Sequence, residues 1–222
     1  AYAFSIILSI VFTILGWALT PFLLKLIDTP ADTLADSILY LRIYFLGIFG
    51  TLIFNIGSAI MRSIGDSRRP LYYLIVCCFL NIVLDLVLVI VFDMGITGAA
   101  IATIISQAVS AILVTNALMK KYDDCKLYLS KLRIDLLKLR LEFRIGIPSA
   151  LQAFMYSITN IIIQAAINGF GTDTAAAWAS FGKLDALFWT VNGAFGIAIT
   201  TFAGQNYGAG KKDRIFKSVR IC

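Results

Sequence analysis

The sequence predicts an all-α, polytopic membrane protein with six transmembrane helices. Hydrophobic residues make up 59% of its 222 residues and charged residues 14%, with a mean hydropathy of +0.87. A soluble domain carries about a quarter charged residues. Five uncharged runs are each long enough for a helix to cross about 30 Å of hydrocarbon, at 1–24, 43–61, 94–119, 145–172 and 186–210. A sixth run, 71–92, is interrupted only by Asp85.

The first two helices are predicted over about 2–25 and 34–64. Pro21 should kink the outer end of the first, because its ring removes one backbone hydrogen bond. A short outer loop around Asp28 joins the two helices. The second is long enough to place Arg42 near the outer lipid headgroups, where a long basic side chain snorkels.

The third and fourth helices are predicted as an antiparallel pair. Gly65 and Asp66 end the second helix, and Pro70 lies where the first turn of the third helix tolerates proline. The third helix runs to about residue 92, and the fourth covers about 97–119. Small residues at the start of the fourth helix allow the close helix packing that lipid requires.

Three segments are predicted along the chain: 1–119, 120–143 and 144–222. In the middle segment, leucines and a phenylalanine recur at helical spacing among lysines and arginines, as in an amphipathic helix on the cytoplasmic face of the membrane. The last segment holds a fifth helix over about 144–170 and a sixth over about 174–205.

The basic residues predict how the chain is oriented. All but three of the 19 Lys and Arg residues lie around 62–69, in 120–144 or in 211–220. The alternate loops carry acids: Asp28, Asp32, Asp36, Asp93 and Asp173. The positive-inside rule therefore places the basic loops and both ends of the chain on the cytoplasmic side of the cell membrane. This topology also accounts for the net charge of +6 without a nucleic-acid partner.

The inventory of reactive side chains argues against an enzyme. Histidine is absent, which removes the commonest base, proton relay and metal ligand. The four cysteines have no metal-binding spacing, and we interpret them as packing residues. The run GQNYGAGK at 204–211 departs from a phosphate-binding loop in its spacing and in Lys212, so we interpret it as a helix end. No cofactor is expected.

Asp85 is the strongest functional candidate. A carboxylate deep in a membrane span costs roughly 3 kcal/mol and usually faces a cavity. Asn81 lies one turn earlier on the same helix face, and Thr103 and Ala99 have the same spacing on the fourth helix. Carboxylate, amide, hydroxyl and carbonyl oxygens suit a monovalent cation such as sodium, or a carboxylate poised for a proton. The alternative is a protonated Asp85 that bonds Asn81 for structure only.

Further polar residues in the spans are candidates for a substrate cavity. Gln152, Tyr156, Asn160 and Gln164 form a stripe at four-residue spacing, which should face water or a partner helix. Lys183 and Asp185 are two residues apart, so each needs another partner, either for a structural ion pair or for a substrate. Asn55 either lies near Asp85 or forms a hydrogen bond that packs two helices together.

Several motifs together resemble the multidrug and toxic compound extrusion family. They are RSIGDSRRP at 62–70, the Asn81 to Asp85 segment, GITGAAIAT at 95–103, GIP at 146–148 and GQNYGAGK at 204–211. The resemblance covers about residues 33–218. It implies that the chain is helices three to eight of a twelve-helix bundle with two six-helix lobes, and that 120–143 is the bridge between the lobes. The abrupt start and end would then reflect missing helices.

The resemblance also implies a function. Family members export cationic or amphipathic compounds in exchange for sodium or protons, and the full-length protein is expected to be monomeric. The family's cation site in the amino-terminal lobe matches Asp85 and Asn81, with Thr103 and Ala99. Tyr156 stands where some members carry a glutamate, so a second cation site of that type is not implied.

Two alternatives stay open at the level of sequence. Related two-lobed bundles flip lipid-linked saccharides, which would favour several basic residues in the cavity, whereas Lys183 is the one strong candidate here. A membrane subunit that transports nothing is the other. Cation-coupled export of a cationic small molecule remains the favoured interpretation, with Asp85 as the leading titratable group and Asp185 the second.

Overall fold

The computed structural model describes residues 2–26, 31–122 and 126–221, and in these ranges the chain is helical with no strand. The helices are α1 Tyr2–Leu26, α2 Ala31–Ser63, α3 Arg68–Asp85, α4 Gly95–Lys120, α5 Leu136–Asn168, α6 Thr172–Gly208 and α7 Lys212–Ile221. Six of the helical stretches are long and apolar enough to cross a membrane, which confirms that prediction. The predicted loop residue Asp28 lies outside the described residues.

The chain divides into two compact units, Ala1–Asp135 and Leu136–Cys222. In the first unit α2 packs against both α1 and α4. Glycines bring α2 and α4 into backbone contact: a methyl group on Gly50 would lie 2.9 Å from the carbonyl of Gln107, and one on Gly47 would lie 3.0 Å from Ile104. Because these contacts advance together along both helices, α2 and α4 run parallel.

The α3–α4 hairpin differs from a plain pair of α-helices. The last turns of the third span, Leu86–Val91, are π-helical, and the Phe92 amide donates to the Val87 carbonyl over 3.0 Å. The irregularity begins directly after Asp85. Gly98 then lets α4 pass the α3 backbone, because a methyl group there would lie 3.1 Å from the Leu88 carbonyl. π-Helical turns inside α-helices often mark functional sites.

The α2–α3 turn is held at the end of the unit that carries Arg62, Arg68, Arg69, Lys120 and Lys121, which we call the basic end. Gly65, with a φ of 98°, ends α2 in a Schellman motif: its amide donates to Arg62 and that of Asp66 donates to Met61. The Asp66 carboxylate accepts from the Arg69 amide over 3.2 Å and from the Tyr122 hydroxyl over 2.5 Å. The turn is therefore tied to the segment that follows α4.

Loss of the Tyr122–Asp66 hydrogen bond should lower stability. We expect Tyr122→Phe to lower the free energy of unfolding by about 1 kcal/mol, measured as a lower Tm of the purified complete protein. Tyr72→Phe on the exposed surface of α3 should leave the Tm unchanged.

Burial raises the pKa of Asp66, but the Tyr122 and Arg69 hydrogen bonds and the Arg69 charge outweigh it, so that pKa is lowered. The carboxylate therefore stabilises the fold above its unfolded pKa, and its contribution disappears as pH falls through the folded value. If Asp66→Asn were still less stable than the parent at acid pH, the ionised Asp66 carboxylate would not be the source of this stability.

The segment after α4 differs in detail from the predicted connector over 120–143. Among the described residues 121–122 and 126–135, the only helical turn is the 3-10 turn at Leu129–Lys131, and a continuous helix starts at Leu136. Leu136, Leu139 and Phe143 therefore run directly into the fifth span, without a separate amphipathic helix. The physical reason is that no glycine or proline occurs between Leu136 and Gly146, and Pro148 lies inside α5 without ending it.

The second unit contains α5, α6 and the short α7. Tyr156 of α5 contacts Trp189 of α6 edge to face, with ring centroids 6.4 Å apart. The run GQNYGAGK is the end of α6, as predicted: the amides of Gly210 and Lys211 donate to Tyr207 and Asn206, and Gly210 has a φ of 72°. This is a helix C-cap and not a phosphate-binding loop. Helix α7 was not predicted.

Candidate functional site

A polar cavity of about 240 Å³ lies between α2, α3 and α4 of the first unit. It is partly open, and three carboxamide side chains line it, from Asn55, Asn81 and Gln107. The other lining residues are Thr51, Phe54, Leu74, Cys77, Cys78, Thr103, Ser106 and Ser110. Both Cys77 and Cys78 form part of this wall; Cys77 is buried, as the packing interpretation requires, whereas Cys78 is exposed.

Asp85 and Asn81 lie one turn apart on α3. The Oδ1 atom of Asp85 and the Nδ2 atom of Asn81 are both buried, and neither has a hydrogen-bond partner in the described chain. The structure therefore contains no Asp85–Asn81 hydrogen bond of the kind that a purely structural role would use. Buried polar atoms without partners are costly and call for an ion, a water or a ligand.

Thr103 and Ala99 lie on α4, one turn apart. The Thr103 hydroxyl donates to the Ala99 carbonyl over 3.0 Å. Because that hydroxyl has used its proton, its oxygen presents only lone pairs to the cavity. Thr103 faces the cavity together with Asn81, while Asp85 and Ala99 lie one helical turn further from the basic end.

Two of these residues offer oxygen ligands to a hard cation: Asp85 supplies a carboxylate and Thr103 a hydroxyl oxygen. The Ala99 carbonyl does not, because it already accepts from the Thr103 hydroxyl and, inside α4, from the Thr103 amide. The Asn81 carboxamide supplies an oxygen if it is flipped about its terminal bond. The flip breaks no hydrogen bond of the nitrogen, because Nδ2 has no partner in the described chain. Oxygen-rich sets of this kind suit sodium, and the unpartnered carboxylate oxygen equally suits a proton.

The cavity also contains functional candidates that sequence reasoning missed. Gln107, Ser106 and Ser110 share its wall with the predicted Thr103, and Thr51 shares it with the predicted Asn55. Their spacing gives a usable signal, since polar residues recur every three or four positions on α4 and on α2. That spacing alone does not identify a cavity, because hydroxyl groups in membrane helices also form hydrogen bonds that only pack helices together.

The predicted stripe on α5 lies on an exposed helix. Gln152, Tyr156, Asn160 and Gln164 are all exposed in the second unit, and Tyr156 makes the ring contact with Trp189. The two helices are antiparallel, so Asn160 and Asp185, each one turn beyond that contact, lie at the same level. The structure thus arranges this stripe beside α6 and leaves Gln152 and Asn160 exposed.

Lys183 and Asp185 remain without an ion pair in the described residues. Lys183 is exposed and Asp185 is half-buried on α6. Their two-residue spacing points them to different sides of the helix, as expected from the sequence. No group of three or more acidic or cysteine side chains in the described chain is placed to hold a multivalent metal.

Comparison with known proteins gives a consistent set of relatives. A family model described as MatE matches residues 1–87 and 148–222, a match that includes Asn81 and Asp85. The probable multidrug resistance protein YpnP of Bacillus subtilis (strain 168) is 30% identical over 220 residues, which cover 94% of this chain and 46% of YpnP. The probable multidrug resistance protein NorM of Thermotoga maritima is 29% identical over 186 residues, which cover 82% of this chain and 40% of NorM.

The solved structures agree with the sequence relatives. A crystal structure of MATE in the bent conformation superposes with a TM-score of 0.88 at 26% identity, over 97% of this chain and 48% of that one. An outward-facing multidrug resistance MATE family transporter of the MOP superfamily superposes with a TM-score of 0.87 at 26% identity. The match covers 97% of this chain and 48% of that one. The chain spans about half the length of the curated relatives it matches.

Proposed function

The chain belongs to the MatE family of membrane transporters, and from this premise we propose that the complete protein is a secondary antiporter. It exports cationic or amphipathic small molecules in exchange for sodium or protons. The relatives named multidrug resistance proteins support the substrate class. The proposed ion site is Asp85 with Asn81 and Thr103, and the Ala99 carbonyl orients the Thr103 hydroxyl.

One observation carries the coupling part of this proposal. The Asp85 carboxylate has a buried oxygen without a partner in the described chain, on the same helix face as Asn81, and the Thr103 hydroxyl of α4 presents only lone pairs to the cavity that Asn81 lines. A charge kept in a membrane helix without a protein partner is expensive. An ion or a proton that visits the site explains why it is retained.

The mechanism follows from differential binding. An ion at Asp85 and a substrate elsewhere in the complete protein stabilise opposite-facing states, so that binding of one promotes release of the other. Neutralising Asp85 removes the cost of its buried charge and favours the state in which the site is closed. Downhill entry of the ion then drives export of the substrate.

The test is gradient-driven flux. The complete protein, reconstituted in liposomes, should move a fluorescent cationic dye against its gradient when a sodium or a pH gradient is imposed. Collapsing the gradient with an ionophore should stop the movement. If neither gradient moves the dye or any member of a panel of cationic amphiphiles, the antiport proposal is wrong, and a subunit without transport activity is favoured.

The orientation is also part of the proposal, with the basic end of the first unit in the cytoplasm. Ser67 lies at the basic end and Met94 at the opposite end of the α3–α4 pair, and both are exposed. In a cysteine-free background, a membrane-impermeant maleimide should label Met94→Cys in intact cells and Ser67→Cys only after permeabilisation. The opposite labelling pattern would reverse the assigned topology.

A further inference from the structure

The three carboxamides of the α2–α3–α4 cavity have no hydrogen-bonding partner among the described residues. Asn55, Asn81 and Gln107 all line the cavity, and none makes a side-chain hydrogen bond within the described residues. An amide inside a membrane span without a partner is costly unless water or a ligand satisfies it. A partly open cavity of about 240 Å³ has room for several waters. We therefore expect water to reach these amides.

Helix α4 adds a row of oxygen acceptors to this cavity. The hydroxyls of Thr103, Ser106 and Ser110 donate to the carbonyls of Ala99, Ala102 and Ser106 over 3.0, 2.8 and 2.9 Å. Each hydroxyl has thereby used its proton, and its oxygen only accepts. The three oxygens lie on successive turns, about 5 Å apart along the helix axis. Such a row can coordinate a cation or the protons of water at each step.

Helix α2 provides a second row that runs in the same direction. The Thr51 hydroxyl donates to the Gly47 carbonyl over 3.3 Å, Asn55 follows one turn later, and Ser58 follows after that. The Oγ atom of Ser58 is buried and has no partner in the described chain. From Thr51 to Ser58 the row advances about 10 Å toward the basic end.

An apolar layer begins one turn closer to the basic end than Ser110, the last α4 residue that lines the cavity. Met61, Val114 and Leu118 belong to one packed cluster and are 0%, 0% and 1% exposed. The segment after α4 covers this layer, because the Leu127 amide donates to the Leu118 carbonyl over 3.0 Å. Hydrophobic constrictions of this kind exclude water and ions until they are opened.

We infer that the coupling ion passes from the Asp85 site to the cytoplasm through the interior of the first unit, along the two polar rows, with Met61, Val114 and Leu118 as its gate. This inference rests on the proposed antiport and adds an exit route for the ion that is separate from the path of the substrate. It also gives the segment after α4 a role: its contact with Leu118 keeps the gate closed.

Gln107→Leu tests the route in the complete protein. The change keeps the size of the side chain and breaks no hydrogen bond within the described residues, so the variant should fold. We expect the ion exchange rate in liposomes to fall about tenfold, while equilibrium binding of sodium or protons to the detergent-purified protein changes less than about twofold. Asn116→Leu is the matched control, because this amide lies on α4 against a different, apolar groove. It should leave both quantities unchanged.

The gate has its own test. Met61→Ala should produce an ion leak that needs no substrate, whereas Ile112→Ala on the exposed surface of α4 should not. If either Gln107→Leu or Met61→Ala fails to fold, Asn55→Leu and Val114→Ala test the same route and gate. Normal exchange in the Gln107→Leu or Asn55→Leu variant, or no leak in the gate variants, would overturn the inference.

The ion site and the exit route can be disproved separately. If Asp85→Asn abolishes coupled export while the Gln107 and Asn55 variants exchange ions normally, only the exit route is wrong. If Asp85→Asn itself retains coupled export, the proposed ion site is wrong whatever the route variants do.

Discussion

Replacing Asp85 with asparagine is expected to abolish cation-coupled export by the complete protein while leaving it folded. The substitution keeps the shape of the side chain and removes the only formal charge among the proposed ligands. Losing a buried charge from a binding set costs about 3 kcal/mol, which is about a hundredfold in affinity. Dye export driven by a sodium or pH gradient in liposomes should therefore fall to the level of protein-free vesicles.

Asp93→Asn provides the matched control. Asp93 lies eight residues further along the chain, is exposed, and has a φ of 51°, which asparagine adopts readily. Coupled export by this variant should stay within about twofold of the parent. Full coupled export in Asp85→Asn, or equal losses in the two variants, would show that Asp85 is not the coupling residue.

Gly50→Val is expected to prevent the first unit from folding correctly. A methyl group at this position would lie 2.9 Å from the Gln107 carbonyl and 3.1 Å from the Ala108 amide nitrogen, so α2 and α4 must separate to admit it. Backbone atoms cannot move aside as a flexible side chain can, and overpacking of this kind costs about 3 kcal/mol or more. The expected result is a low yield and a broad, early peak in size-exclusion chromatography.

The control for that substitution places the same valine side chain on another face of α2. Ala59 is exposed in the first unit, and Ala59→Val should give normal yield and elution. If Gly50→Val were produced at the level of the parent with an unchanged Tm, the close α2–α4 contact would not be a feature of the native protein.

Much of the fold could be predicted from the sequence, because uncharged runs of membrane-spanning length leave few alternatives. The turn at Gly65 and the helix end at Gly210 were also predictable, since both need a positive φ. The π-helical turns over Leu86–Val91 were not, because an aliphatic run suits an α-helix equally well. The start of α5 at Leu136 was missed because amphipathic spacing does not show where one helix ends and the next begins.

The candidate site was only partly predictable. Asp85 stood out as a single charge in an apolar run, and four-residue spacing brought in Asn81. It was harder to predict which faces of α2 and α4 contact α3, because helices that are hydrophobic on all sides show no preferred contact face. Gln107 and the hydroxyl rows emerge only once the glycine contacts fix the rotation of α2 against α4.

Ion release on substrate binding tests the central claim most directly. In the purified complete protein, adding a transported cation should release about one bound sodium ion or proton per molecule, because the two ligands favour opposite states. Sodium is followed by isotope and protons by a pH indicator in weak buffer. We predict this release in the parent and its absence in Asp85→Asn. Equal release from both proteins, or none from a parent that binds the substrate, would contradict a coupling site at Asp85.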